Sequence, residues 1–65
     1  MKYVIRIYYG VGMQRYIMNV QAEDENDANS RFEAYEYFMD VDPLRIISEI
    51  RFLHNEKEIK RRVRC

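Results

Sequence analysis

The sequence predicts an α+β fold of element order ββαββ, with one helix packed on one face of a four-stranded antiparallel sheet. Three observations predict it: two segments of period-two alternation at the start, one segment of helical period in the middle, and two alternating segments at the end. A right-handed crossover through the helix places the third strand beside the first, so the strand order is 2-1-3-4. The second face of the sheet, the open sheet face, is then free for solvent or a partner.

The first two strands are predicted to form a hairpin around the glycines of GVG. Their inward side chains are Tyr3, Ile5, Ile7 and Tyr9 on the first strand and Tyr16, Met18, Val20 and Ala22 on the second. A loop centred on Val11-Gly12 sets Ile5 opposite Met18 and matches core residue with core residue along the hairpin. In this register Gly10 and Gly12 both supply positive φ in the turn.

The helix is predicted to span residues 25–40. Its core-facing stripe is Ala28, Phe32, Tyr35 and Met39, at the spacing of one helical face. Asp24 is a suitable N-cap, and the acidic residues that follow it favour the positive end of the helix dipole. Pro43 ends the helix, because the residue before a proline avoids the helical conformation.

The last two strands are predicted to turn at Asn55-Glu56. Their inward side chains are Ile46, Ser48, Ile50 and Phe52 on the third strand and Ile59, Arg61, Val63 and Cys65 on the fourth. This register sets Phe52 opposite Ile59 and, on the outer face, Glu49 opposite Arg62. We therefore interpret the basic tail as an edge strand whose outward charges discourage aggregation. The alternative is a disordered basic arm.

Length and composition indicate one small domain over residues 1–65. The single cysteine, Cys65, cannot form a disulfide within the chain and is typical of a reducing compartment. No signal peptide is visible, and no uncharged run is long enough to span a bilayer. We expect a cytoplasmic protein with no membrane partner.

The sequence predicts no catalytic centre and no cofactor. Potential nucleophiles are few, and the only histidine, His54, lies beside the predicted turn, at the far end of the hairpin from Cys65. No metal-binding motif is present. His54 is interpreted as a solvated turn residue.

Charge is segregated along the chain although the formal net charge is zero. Residues 23–42 carry eight acidic residues against one basic residue, and both flanking segments are basic. On a helical wheel Tyr37 points away from the core stripe. The first candidate site, the outer helix face, consists of Glu33, Glu36, Tyr37 and Asp40. A tyrosine among carboxylates suits a basic protein partner, and a solvated helix face is the alternative.

The open sheet face is the second candidate site. Its candidate binding residues are Arg6, Tyr8, Arg15, Ile17, Arg51, Lys60, Arg62 and Arg64. Basic residues around an aromatic ring suit single-stranded nucleic acid, and a mixed apolar and charged face suits a protein interface at least as well. The aliphatic residues expected on this face are Val4, Ile17, Ile47 and Leu53. Together they favour a twofold homodimer that buries them.

These observations predict a non-catalytic, small protein-binding module. Very short, cysteine-poor chains of this layout are common among small phage and mobile-element proteins that bind and block host machinery. An inhibitor of a host nucleic-acid-handling protein is therefore one expectation. The alternative is a single-stranded nucleic-acid-binding protein that uses the basic sheet face and the C-terminal strand.

Overall fold

The computed structural model describes residues 2–64 and confirms the predicted architecture. The elements are β1 (Tyr3–Val11), β2 (Gln14–Ala22), α1 (Glu25–Val41), a 3-10 turn (Pro43–Arg45), β3 (Ile47–His54) and β4 (Lys57–Val63). The strands form one antiparallel sheet in the order β2-β1-β3-β4, and α1 packs on one face. Within residues 2–64, no helix combines the length and apolar content needed to cross a membrane.

Helix α1 begins at the predicted N-cap. The Asp24 carboxylate accepts a hydrogen bond from the Asp27 backbone N–H at 2.8 Å, and the Asp27 carboxylate accepts one from the Glu23 N–H at 3.1 Å. That backbone hydrogen bond, together with the Arg31 guanidinium, holds the pKa of Asp27 below its ordinary value. The helix ends at Val41, one residue beyond the prediction.

The core lies between α1 and the two central strands, β1 and β3. Its buried side chains are Tyr3, Ile5, Ile7, Ala28, Phe32, Met39, Ile47, Ile50 and Phe52. The predicted inward face of β1 and the predicted helical stripe therefore form the core, except that Tyr9 and Tyr35 are half-buried at its margin.

The β1–β2 hairpin is shifted by two residues from the predicted register. Ile5 lies opposite Val20, and the two turn residues are Gly12 and Met13. A shift of two keeps every side chain on its predicted face, because the strand period is two. Gly12 has the predicted positive φ, 64°. Gly10 instead lies inside β1, where a Cβ would collide with the Gln14 carbonyl oxygen, so the absence of a side chain allows the two strands to approach closely.

A bulge in β3 places Ile47, instead of Ile46, on the core face of the sheet. The pairing shifts between Tyr8 and Tyr9, so that Tyr9 lies opposite Ile47. Ile47 is buried, whereas Ile46 is exposed and has a φ of 52°. The predicted inward position of Ile46 and outward position of Ile47 are therefore wrong. Ser48, which was also predicted to face inward, is exposed, and Cys65, the last residue of the predicted inward set of β4, lies outside the described residues.

A second bulge, in the pairing of β3 with β4, reverses the side-chain orientation in the part of β4 beyond it. Asn55 and Glu56 form the predicted turn. Beyond it the pairing shifts between Phe52 and Leu53, so that Phe52 lies opposite Lys60 instead of Ile59. One extra residue in one strand of a pair reverses the face on which every later side chain lies.

The predicted orientation of β4 is consequently wrong from Ile59 onward. Ile59 is 54% exposed, and Val63 is exposed as well. Lys60 faces α1, with its Nζ atom 4.6 Å from the centre of the Phe32 ring. Arg62 also faces α1, and one of its guanidinium nitrogens lies 2.9 Å from an Asp40 carboxylate oxygen. The stems of two basic side chains therefore cover the core where aliphatic side chains were expected.

Candidate protein-docking surfaces

The outer helix face presents an exposed aromatic ring, as predicted. Tyr37 is 62% exposed, and its ring packs edge-on against Phe38 with 6.2 Å between ring centres. Val41, one turn further along α1, is also exposed. The ring and this aliphatic side chain form a short apolar strip toward the C-terminal end of the helix.

This strip lies in a negatively charged setting. The last turn of α1 contains no basic residue, and the carbonyl end of a helix carries a partial negative charge. Asp40 is bound by Arg62, as described above. Among the ion pairs of residues 2–64, none involves Glu33 or Glu36. Two carboxylates beside Tyr37 are thus available to an external cation.

The open sheet face carries an internally balanced network of ion pairs. Arg51 donates to Glu49 at 2.7 Å, and its guanidinium lies 4.8 Å from the centre of the Tyr8 ring. Arg61 pairs with the same Glu49 at 3.1 Å and with Glu58 at 2.9 Å. The hydrogen bond to Glu49 raises the pKa of Arg51 above its ordinary value. The central bases of this face are therefore matched by carboxylates of the same chain.

The reversal of β4 divides the predicted set of sheet-face residues. Those that remain on the open sheet face are Arg6, Tyr8, Arg15, Ile17 and Arg51. Lys60 and Arg62 face α1, so their assignment to the open sheet face is wrong. Arg61 replaces Arg62 as the partner of Glu49. Arg64 is half-buried just beyond the end of β4, where its N–H donates to the Ser48 carbonyl at 2.9 Å.

The aliphatic patch predicted for the open sheet face does not assemble. Ile47 belongs to the core, as described above. Leu53 is buried and lines a shallow depression together with Lys2, Val4 and Arg6. Ile17 is left as the exposed aliphatic side chain of the predicted set. The basis for a homodimer through this face is therefore lost.

A groove that the sequence analysis missed lies between α1 and β2. Tyr16 and Met18 were assigned to the core, yet they are 42% and 41% exposed. The groove, called the aromatic groove below, is lined by Ile7, Tyr9, Met18, Tyr35, Phe38, Arg45 and Ile47. Beside it, the Tyr9 and Tyr16 rings stack with 5.4 Å between their centres. The width of a helix could have predicted this groove. A helix about 10 Å across covers about two strands spaced about 4.8 Å apart, so part of a four-stranded sheet stays uncovered.

His54 differs from the solvated turn residue that was expected. It is half-buried and stacks on Tyr3 with 4.2 Å between ring centres, and its Nε2 atom is buried without a hydrogen-bond partner. Within residues 2–64, no group of three or more His, Cys, Asp or Glu side chains could hold a metal ion.

The fold and these surfaces define the class of protein as a small α+β domain with an antiparallel sheet. Its described surface offers an acidic helix face with an exposed tyrosine and an apolar groove beside one sheet edge. No protein-family model, curated protein or solved structure matches the chain.

Proposed function

We propose that the chain is a non-catalytic protein-binding module that docks a basic protein through the outer helix face. The observation that carries this proposal is the exposed ring of Tyr37, which lies beside unpaired Glu33 and Glu36 and in line with exposed Val41. Tyrosine is enriched among the residues that dominate binding energy. An apolar centre with a charged rim is the usual anatomy of an interface.

The charge distribution supports a cationic partner. Carboxylates beside Tyr37 would pair with lysine or arginine side chains, and such a cation could also lie over the tyrosine ring. The partial negative charge at the helix end adds to this attraction. Charge of one sign on a docking surface accelerates association with a partner of opposite sign.

The partner class that suits this surface best is a nucleic-acid-handling protein. Such proteins carry basic surfaces that neutralise phosphates. A small module whose acidic helix face is bound there would compete with nucleic acid, which is the action expected of a phage or mobile-element inhibitor of host machinery. Charge complementarity is the support for this partner class.

Single-stranded nucleic-acid binding through the open sheet face is the competing proposal, and it has less support. Lys60 and Arg62 lie on the opposite side of the sheet, and Arg51 is held by Glu49. This proposal predicts affinity for single-stranded oligonucleotides that falls steeply with salt concentration. Absence of binding at low salt in a fluorescence titration would contradict it.

Affinity capture followed by titration tests the leading proposal. The immobilised chain captures partners from a host lysate, and each captured protein is then titrated against purified variants. Tyr37→Ala should weaken binding about 30-fold, the effect of losing a hot spot of about 2 kcal/mol. Glu33→Lys should weaken it through charge reversal.

The matched control is Glu56→Lys, which makes the same charge change at an exposed position in the β3–β4 turn. Its affinity for the partner should equal that of the unchanged chain. If Tyr37→Ala and Glu33→Lys leave the affinity of every captured partner unchanged, the outer helix face is not the docking surface.

A further inference from the structure

β2 is an edge strand that lacks the usual protection against pairing. It runs for nine residues, Gln14–Ala22, and pairs with β1 without a register shift. Arg15 is its one charged residue, and it contains no proline. Protein sheets usually protect an edge with charges, prolines or bulges, because a bare edge is a template for another strand.

The hydrogen bonding of β1 shows which backbone groups of β2 face away from the sheet. The Gly10 N–H donates to the Ile46 carbonyl at 3.2 Å, so Gly10 directs its backbone groups toward β3. Alternate residues of a strand bond to opposite neighbours, so odd-numbered residues of β1 bond to their even-numbered partners in β2. The odd-numbered residues of β2 therefore direct their N–H and C=O groups outward. These are Arg15, Ile17, Asn19 and Gln21.

Apolar side chains flank this row of outward backbone groups on both faces of the sheet. Ile17 is 59% exposed on the open sheet face, and Tyr16 and Met18 are part-exposed on the opposite face. Beyond Met18 lies the aromatic groove, with Phe38 on its far side. A strand added beside β2 would lie about 4.8 Å further out and would bring its own side chains over this groove.

We propose that a second copy of this chain occupies the β2 edge. The two β2 strands pair antiparallel about a twofold axis at Met18, which is the midpoint of the strand. The odd-numbered residues then form the hydrogen-bonded pairs, with Ile17 opposite Asn19 of the second copy. Met18 faces Met18 of the second copy in a non-hydrogen-bonded pair. The two sheets become one continuous sheet with both helices on the same face.

The charge pattern of β2 allows it to pair with a second copy of itself, as a twofold dimer requires. A twofold interface must be complementary to itself. In the proposed register Arg15 lies opposite the neutral Gln21 of the second copy, so no charge faces a like charge. Twofold pairing of β4 would instead bring together strands that each carry Lys57, Lys60, Arg61 and Arg62. The proposed dimer forms through the edge of the sheet. This proposal does not depend on the partner proposed for the outer helix face.

Sedimentation equilibrium of matched variants tests the proposed edge. The unchanged chain should shift with concentration from 8.0 kDa toward twice that mass. Ile17→Lys should weaken dimerisation at least about tenfold, because it adds one positive charge to each β2 strand of the pair. Ile59→Lys makes the same change at a similarly exposed isoleucine on the β4 edge and should leave dimerisation unchanged. A chain that stays monomeric at millimolar concentration, or equal effects of the two variants, would overturn the proposal.

Disulfide trapping tests the register and does not depend on how Ile17→Lys folds. In a Cys65→Ser background, Met18→Cys should cross-link quickly under mild oxidation. The reason is that Cα atoms of a non-hydrogen-bonded pair lie about 4.5 Å apart, within disulfide range. Val20→Cys lies on the same face but not opposite itself, and it should cross-link slowly. Equal rates would overturn the register. The contrary result is that a foreign apolar peptide protects the Ile17 and Asn19 amides from hydrogen exchange while self-association of the chain does not. That result would show that a second copy is not the occupant of the β2 edge.

Discussion

The two edges of the sheet differ in how far they are protected against pairing with another strand. β4 carries four basic residues and a bulge, whereas β2 carries one basic residue and pairs regularly with β1. Two of the basic side chains of β4, Lys60 and Arg62, lie on the helix side of the sheet and contact residues of α1. The basic tail, which looks like a binding arm, is therefore part of the structure. The apolar β2, which looks like a core strand, is the less protected edge.

Removing β4 should have the largest effect on stability. A chain truncated after His54 loses one strand of the sheet and the cover that Lys60 provides over Phe32 and Phe52. A domain of this size has only about 3–5 kcal/mol of stability to lose, so the truncated chain should be unfolded at 25 °C by circular dichroism. A thermal melt equal to that of the full chain would show that β4 is dispensable.

The apolar residues of β4 supply the control for that truncation. Ile59 and Val63 are exposed, so each substitution to alanine should change the free energy of unfolding by less than about 0.5 kcal/mol. A loss above 2 kcal/mol in either variant would restore the inward orientation first predicted for these two side chains.

Lys60→Ala should have the next largest effect. The Lys60 side chain contacts two core rings and donates to the Asn29 side-chain oxygen at 3.1 Å, so we expect a loss of about 1–2 kcal/mol in chemical denaturation. Lys60→Met keeps most of the stem and should lose less. Lys57→Ala, at an exposed position of the same strand, is the control and should be nearly neutral. Equal losses from Lys57→Ala and Lys60→Ala would mean that general charge, not cover of the core, explains the effect.

Substitutions in the two hairpin turns should change the stability in opposite directions. Glu56 has a φ of 68°, which disfavours a residue with a Cβ, so Glu56→Gly should stabilise the β3–β4 hairpin by about 1 kcal/mol. Gly12 has a φ of 64° in the β1–β2 turn, so Gly12→Ala should destabilise by about 1 kcal/mol. Denaturant midpoints measure both. Shifts of the same sign would contradict the assigned turn conformations.

The smallest expected effect is a pH dependence at the start of α1, away from both edges. The pKa of Asp27 is lower in the folded chain than its ordinary value of 3.8, so its charged form stabilises the fold. That contribution is present above pH 3.8 and is lost as the pH falls through the lower folded pKa. The difference in melting temperature between the unchanged chain and Asp27→Asn should therefore shrink in acid. A difference independent of pH would contradict this origin.

The sequence by itself determined the elements, their order and the positions of the helix cap and the second turn. These features depend on local patterns: alternation for strands, the spacing of Ala28, Phe32 and Met39 for α1, and an aspartate ahead of the first turn. The strand order followed from the handedness of the crossover. Exposure of Tyr37 followed from the same helical spacing. The outer helix face could therefore be assembled from the sequence, although its function as a docking surface stays a proposal.

Only the tertiary structure decided the register of the strand pairs, the positions of the bulges and which side chains cover the core. A shift of two residues in the β1–β2 hairpin preserves every face, so the alternation could not reveal it. A bulge of one residue reverses the faces, and the sequence near Ile59 does not separate a bulge from regular pairing. The structure places the Lys60 stem over Phe32 and Phe52, with its ammonium bonded to Asn29. The exposure of Tyr16 and Met18 on β2 has a similar origin, because the single helix covers about two strands and leaves this edge strand partly uncovered.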